Sequence, residues 1–205
     1  IEQAVLPLTK LSTVQNEFAD RPWLLRVIQP GLINAVLFLD TNLLAIDVKA
    51  HRSVNESDSS GGNKSPVNHC EARLALLICE AMHKGGLDYD QIGVIAPYQS
   101  QVQYLKNAAA QMVGLEINTV DQYQGRDKEA IIYSCTKSEP NDDSPIKEGS
   151  QTILHDLRRL TVAVTRAKHK LIVIGDSGTL QQYPPFAKLL SALEPHQRYQ
   201  LCSGL

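Results

Sequence analysis

Apolar and polar positions divide the chain into a weakly patterned opening, a polar break and a regular remainder. The break is residues 51–66, HRSVNESDSSGGNKSP, with five serines, two glycines, two asparagines and hardly an apolar side chain. Such a stretch cannot bury enough surface to offset its ordering entropy, so it predicts a flexible loop. Beyond it, Asn68 is placed to cap a helix, and Glu71 lies three residues on, the capping-box spacing. Leu74, Leu77, Ile78 and Ala81 follow at helical intervals, and Gly85-Gly86 stop the helix. Ile92 to Ala96 is a short apolar run ended by Pro97, the signature of a buried strand. The pattern then predicts a helix over 99–113 and strands over 115–118 and 130–135. A further helix over 154–168 carries a Leu157, Leu160, Val164 stripe, and 170–175 (KLIVIG) reads as a buried strand. Before the break, 35–40 (AVLFLD) is a strand candidate, and the polar stretch 137–150 predicts a surface excursion.

Buried apolar strands separated by amphipathic helices imply an α/β fold, a mainly parallel sheet with helices on both faces. The predicted organisation is a connecting segment over 1–66, an α/β domain over 67–195 and a tail over 196–205. Ligands of such sheets meet the loops at the carboxyl ends of the strands, here those after Ala96, Asn118 and Gly175.

Composition narrows this picture only slightly. The chain has 205 residues, 20 Lys+Arg against 22 Asp+Glu and a net charge of -2. There is no global basic footprint of a polyanion binder, and a local patch must carry any such function. With 43% hydrophobic residues a sizeable core is expected. No apolar run approaches the ~20 residues that span a bilayer, so no membrane partner is expected. Cys70, Cys79, Cys135 and Cys202 show neither CxxC spacing nor a histidine at zinc-finger distance, and read as buried thiols. The six histidines receive no metal role. The sequons at Asn55 and Asn63 are discounted, because nothing else argues for secretion. The start at Ile1, without initiator Met or signal-peptide pattern, suggests a piece of a longer chain.

Three segments hold polar groups that packing alone does not require. In Ala96-Pro97-Tyr98-Gln99-Ser100-Gln101, a helix N-terminus favours anions and Tyr98 offers a flat face for a base, although an ordinary strand-to-helix turn reads the same way. The loop from Asn118 to Asp127 gathers Thr119, Asp121, Gln122, Gln124, Arg126 and Asp127 around Gly125, which lets the backbone approach a ligand. In 158–168 (RRLTVAVTRAK), Arg159, Val162 and Arg166 fall on one helical face. An arginine fork there suits phosphate, and a solvated basic face is the plainer alternative. Asp40 and Asp176, each ending an apolar strand, mimic magnesium-binding acids. The sequence contains no GxxxxGK[ST] loop for them to serve, so they read as strand-end carboxylates.

Taken in order, APYQSQ, NTVDQYQGRDKEAIIYSC and RRLTVAVTRAKHKLIVIG resemble motifs IV, V and VI of superfamily 1 helicases. Within the Upf-one-like branch, RPWLLRVIQP, VLFLDTN and LQQYPPFAKLL extend the resemblance to the eukaryotic Dna-two ATP-dependent helicase/nuclease family. The resemblance implies a second RecA-like motor lobe of P-loop NTPase fold, without a P-loop of its own. ATP and Mg2+ would be shared with a first lobe that carries the phosphate loop and the magnesium-binding acid. On this lobe Arg166 would be the arginine finger on the γ-phosphate, with Gln124, Gly125, Asp127 and Arg159 on the nucleotide side. Pro97, Tyr98, Gln101 and Thr119 would line the single-stranded DNA path. At Asp121 a carboxylate facing phosphate would be repulsive, so its expected role is to orient its neighbours. Stepping would be 5′ to 3′. The resemblance further implies a nuclease domain with a four-cysteine iron–sulfur cluster in the parent protein, and a single-strand-binding protein as partner. It implies work on DNA flaps in replication and repair, in the nucleus with the mitochondrion as a second location. The alternatives are the same lobe of an RNA helicase of this branch and a non-catalytic nucleic-acid-binding scaffold.

Overall fold

The computed structural model describes residues 6–44, 66–123, 125–137 and 153–201. The loop predicted over 51–66 falls outside the described residues except at Pro66, as do Gln124, Cys202 and the excursion beyond Lys137.

Helices α1 (Leu11–Glu17) and α2 (Pro22–Ile28) precede strand β1 (Val36–Asp40). Helix α3 (His69–Lys84), β2 (Ile92–Ala96), α4 (Gln99–Ala108), β3 (Glu116–Thr119) and β4 (Lys128–Ser134) follow. Then come α5 (Leu157–Val164), β5 (Ala167–Gly175), α6 (Ser177–Leu180), α7 (Pro184–Ala192) and β6 (Arg198–Gln200). Among the described residues the strands form one six-stranded sheet in the order β3-β2-β4-β5-β1-β6, and every neighbouring pair is parallel.

Period-two alternation distributes the core between the two faces. Leu37, Leu39, Ile132, Ile172 and Ile174 pack with α1 to α4, whereas Phe38, Ile131, Tyr133, Leu171 and Val173 pack with α5 to α7. Helices therefore cover both faces, which makes this the expected RecA-like α/β fold. Residues before the break join it directly: β1 lies between β5 and β6, and Val14, Leu24 and Ile28 share a core with α3. The predicted tail supplies the edge strand β6, paired to β1.

Two helices stop short of their sequence patterns. After α4, Met112 N–H donates to the Ala109 carbonyl and Gly114 adopts φ +98°, turning the chain into β3. The pattern over 154–168 splits into a short turn (Ile153–His155), an Asp156 cap on α5 and an early entry into β5. β-branched Val162, Val164 and Thr165 weaken the helix end. The Thr165 hydroxyl donates to the carbonyls of Thr161 and Val162, which helps to close it.

The chain leaves β2 toward β3 and leaves β4 in the other direction, toward β5. The crevice between the carboxyl ends of β2 and β4 is thus the topological switch point, where open parallel sheets ordinarily bind ligands. Among the described residues no helix is long and apolar enough to cross a membrane.

Candidate functional site

The predicted site residues separate onto the two ends of the sheet. Asp127 precedes β4 and Arg166 precedes β5, so both stand at the amino edge. The Arg166 Nη1 donates to Asp127 Oδ1 at 2.8 Å, its Nε to the Val162 carbonyl at 3.1 Å and its Nη2 to Thr165 Oγ1 at 3.4 Å. Arg166 lies beyond the end of α5, so these bonds, and not a shared helical face, aim its guanidinium. Gly125 has φ +79°, and a Cβ at that position would meet nothing within 4 Å, so the backbone beside Asp127 is open to a close approach. Next to it, Glu116 takes ion pairs from Arg126 and Lys128. Partial burial pushes its carboxyl up, and the two cations outweigh that, leaving it below the ordinary carboxylate value.

Rules for parallel sheets direct attention to carboxyl ends, and the Arg166–Asp127 pair lies at the opposite edge. The β3–β4 connection joins the two. It starts at Thr119, level with Ala96 at the carboxyl edge, and passes through a short turn at Asp121–Tyr123 before reaching Asp127. Tyr123 is fully buried, with its hydroxyl 3.5 Å from the Glu116 carbonyl. A Cβ at Gly93 would overlap that hydroxyl oxygen, so a glycine in β2 is what lets Tyr123 seat.

Arg159 belongs to a different place from Arg166. Its Nε and Nη2 grip both Asp121 carboxylate oxygens at 3.0 and 2.9 Å, and Asp156 caps the helix beneath it. Helix α5 runs from the carboxyl edge to the amino edge, and seven residues of helix span roughly 10 Å. Arg159, expected with the nucleotide-side residues, therefore stands about that far from Arg166 and faces an open cleft of about 540 Å³ with Asp121, Asp156, Arg158 and Val162. Asp121 does orient a neighbour, and that neighbour is Arg159.

At the carboxyl edge Thr119 ends β3 and Tyr98 follows the end of the adjacent β2 by two residues; both are partly accessible, with the Tyr98 hydroxyl oxygen turned inward. Pro97 is buried. Gln101, expected on the strand path, is fully buried and its amide is used internally. It accepts from Asn68 N–H at 2.8 Å, and donates to the Asn68 carbonyl at 3.0 Å and to Ser134 Oγ at 3.2 Å. Both amide N–H groups are thus used inside the chain.

Glu71 lies at the centre of the same network, a role that its capping-box spacing does not reveal. Asn68 does cap α3, accepting from Glu71 N–H at 3.0 Å. The Glu71 carboxyl turns inward instead of back to the Asn68 backbone. It accepts from Ser134 Oγ and Thr136 N–H, both at 2.7 Å, and from Asn68 Nδ2 at 3.1 Å. Complete burial pushes its pKa up to about 8 against the pull of these bonds. The available signal was its place on the apolar face of α3, three residues before Leu74. Lys170, also missed, is buried within the apolar run of β5, and its Nζ donates to the Gln29 carbonyl at 3.1 Å.

Among the described residues no group of three or more His, Cys, Asp or Glu side chains is placed to hold a metal ion. Cys70, Cys79 and Cys135 are buried. Asp40 accepts from the backbone N–H groups of Asn42 and Ser177, and Asp176 caps α6, so both act as strand-end braces. A nucleotide fits the amino edge in two respects: Arg166 keeps guanidinium N–H groups beyond its internal bonds, and Gly125 leaves space. The acid beside them, Asp127, is engaged by Arg166, which leaves a magnesium ion to ligands from elsewhere.

A family model described as AAA domain matches residues 10–178. The chain is similar to the human DNA replication ATP-dependent helicase/nuclease DNA2, 39% identical over 200 residues, covering 94% of this chain and 17% of that protein. The Saccharomyces cerevisiae DNA2 is 35% identical over 202 residues, covering 96% of this chain and 12% of its own length. The Arabidopsis thaliana helicase/nuclease JHS1 is 33% identical over 174 residues, covering 84% and 12%. The chain spans about a sixth or less of the length of these relatives. On the family match and the parallel RecA-like sheet together, the chain belongs to the AAA domain family, and it resembles DNA2-type helicase/nucleases over nearly its whole length.

Proposed function

We propose that this chain is the second motor lobe of an ATP-dependent DNA helicase/nuclease that moves 5′ to 3′ on single-stranded DNA and acts on flaps in replication and repair. The observation that carries this reading is the division of its polar residues. Arg166, Asp127 and Gly125 stand at the amino edge, Tyr98 and Thr119 at the carboxyl edge, and one connection runs between them. ATP supplies the phosphoanhydride whose cleavage drives the cycle, and a first lobe supplies the phosphate loop and the Mg2+ ligands. Arg166 neutralises charge developing on the γ-phosphoryl group. In doing so it exchanges its Asp127 partner for phosphate oxygens while Val162 and Thr165 keep it aimed. Tyr98 offers a stacking face and Thr119 a hydroxyl to the strand at the other edge. The parent protein would carry a nuclease domain with an iron–sulfur cluster, meet a single-strand-binding protein and work in the nucleus and mitochondrion.

The reading makes the chain half of an active site. The purified 205-residue chain is expected to fold and to hydrolyse no ATP, with or without single-stranded DNA, in a phosphate-release assay. Robust turnover by the chain alone would refute the half-site reading.

A further inference from the structure

The switch-point crevice between β2 and β4 is filled by the chain's own polar side chains. Asn68, Glu71, Gln101 and Ser134 bond one another there, and Glu71, Gln101 and Ser134 are wholly buried. Asn68 caps α3 and Glu71 sits in its first turn, while Gln101 lies in the first turn of α4 and Ser134 at the end of β4. Ser100 adds a bond from its hydroxyl to the Pro66 carbonyl at 2.7 Å. The network therefore fixes the start of α4, and with it the Pro97-Tyr98 turn.

It also fixes the turn that follows β4. Thr136 has φ +70°, a left-handed conformation that is strained for a β-branched residue. Its N–H donates to Glu71 Oε2 at 2.7 Å. Lys137 follows at once, half-buried, with its Nζ 3.2 Å from the Tyr183 hydroxyl. One carboxyl thus holds both turns that flank the crevice.

We propose that Glu71 is a positioning residue for the strand-binding edge: it holds the Pro97–Ser100 and Cys135–Lys137 turns in the one arrangement that grips single-stranded DNA. The proposal rests on the motor-lobe reading above. Glu71 touches neither strand nor nucleotide; it acts through Thr136 N–H, Ser134 Oγ and the Asn68–Gln101 pair.

The test uses the full-length helicase and a fluorescein-labelled oligodeoxythymidylate, with anisotropy for strand affinity and steady-state ATPase for the KM of ATP. Glu71→Ala is expected to weaken strand affinity about tenfold, as the gripping arrangement falls to a minor population, and to leave the KM for ATP within about twofold. Glu71→Gln keeps an acceptor for Ser134 and Thr136 and is expected to retain most of the affinity. Ser134→Ala, which removes a single hydroxyl, is expected to fall between them and keeps the test open if Glu71→Ala fails to fold. Thr136→Gly removes the left-handed penalty, so adding it to Glu71→Ala is expected to restore part of the lost affinity, which a merely structural carboxyl would not predict. Wild-type strand affinity in Glu71→Ala and Ser134→Ala would overturn the proposal. So would a parallel loss of strand binding, ATP binding and thermal stability that Thr136→Gly does not relieve. A wild-type protein with no affinity for single strands would overturn the motor-lobe reading itself, and the proposal with it.

Discussion

Lys170 gives the sharpest stability prediction. It occupies a core position on the α1–α4 face of β5, with 1% of its surface exposed. Its Nζ donates to the Gln29 carbonyl at the end of α2. Burial disfavours the ammonium and lowers its pKa from 10.5 to about 7. The folded chain therefore sheds this proton near neutrality, whereas the unfolded chain keeps it up to about pH 10.5. Between these values the unfolded state binds more protons, so unfolding free energy rises with pH. Each pH unit inside the window is worth up to about 1.4 kcal/mol, and because the folded group is still half protonated at pH 7 the gain between pH 7 and pH 9 is roughly 2 kcal/mol. Lys170→Met removes the titration and keeps the volume. Urea unfolding of both chains at pH 7, 8 and 9 isolates the contribution, since the other groups cancel in the difference. The stability of Lys170→Met relative to wild type is expected to fall steadily across this range by about that amount. A difference that stays constant with pH would mean that Lys170 is solvated or paired in the native chain, and would refute the burial argument.

Other perturbations probe separate parts of the structure. Glu71 carries the opposite sign: its folded pKa is raised from 4.5 to about 8, so its contribution to stability is present below about pH 4.5 and is lost as pH rises through 8. Subtracting Glu71→Gln from wild type in the same titration should reveal that falling limb, and a flat difference would contradict it. Gly93→Ala drives a methyl group into the Tyr123 hydroxyl oxygen and should destabilise by about 1–3 kcal/mol. Tyr123→Phe in the same chain should relieve part of that loss, and strictly additive effects in thermal melts would argue against the contact. The Arg159–Asp121 pair is exposed enough that a double-mutant cycle should return about 1 kcal/mol or less of coupling in stability, and a larger value would mark it as structural.

The parallel sheet was legible because its strands are continuous apolar runs, and Ile92–Ala96 lies where the pattern put it. Helix ends were less so, since the 154–168 stripe continued through Thr165 and Arg166 into residues that pair as strand β5. Local sequence also could not say that 36–40 would insert between β5 and β6, because that is decided by non-local pairing. For the site, residue types and order drew attention to Arg166, Asp127 and Gly125, while spacing on an assumed long helix put Arg159 and Arg166 on one face, whereas the helix ends at Val164. Gln101 and Glu71 show the limit most clearly. Both stand at helix starts, where polar residues usually meet solvent or ligand, and both are buried because a third element, the end of β4, closes over them. Nothing local in either segment encodes that partner.

The central claim, that this lobe completes an ATP site with Arg166, is tested most directly by Arg166→Ala in the full-length protein, assayed for ATP turnover stimulated by single-stranded DNA. Arginine fingers contribute ~10³–10⁵ in rate in comparable phosphoryl transfers, so turnover should fall by about three orders of magnitude or more. Because Arg166 is at the amino edge, single-strand affinity and thermal stability should stay close to wild type. Near-normal turnover in the variant would contradict the account.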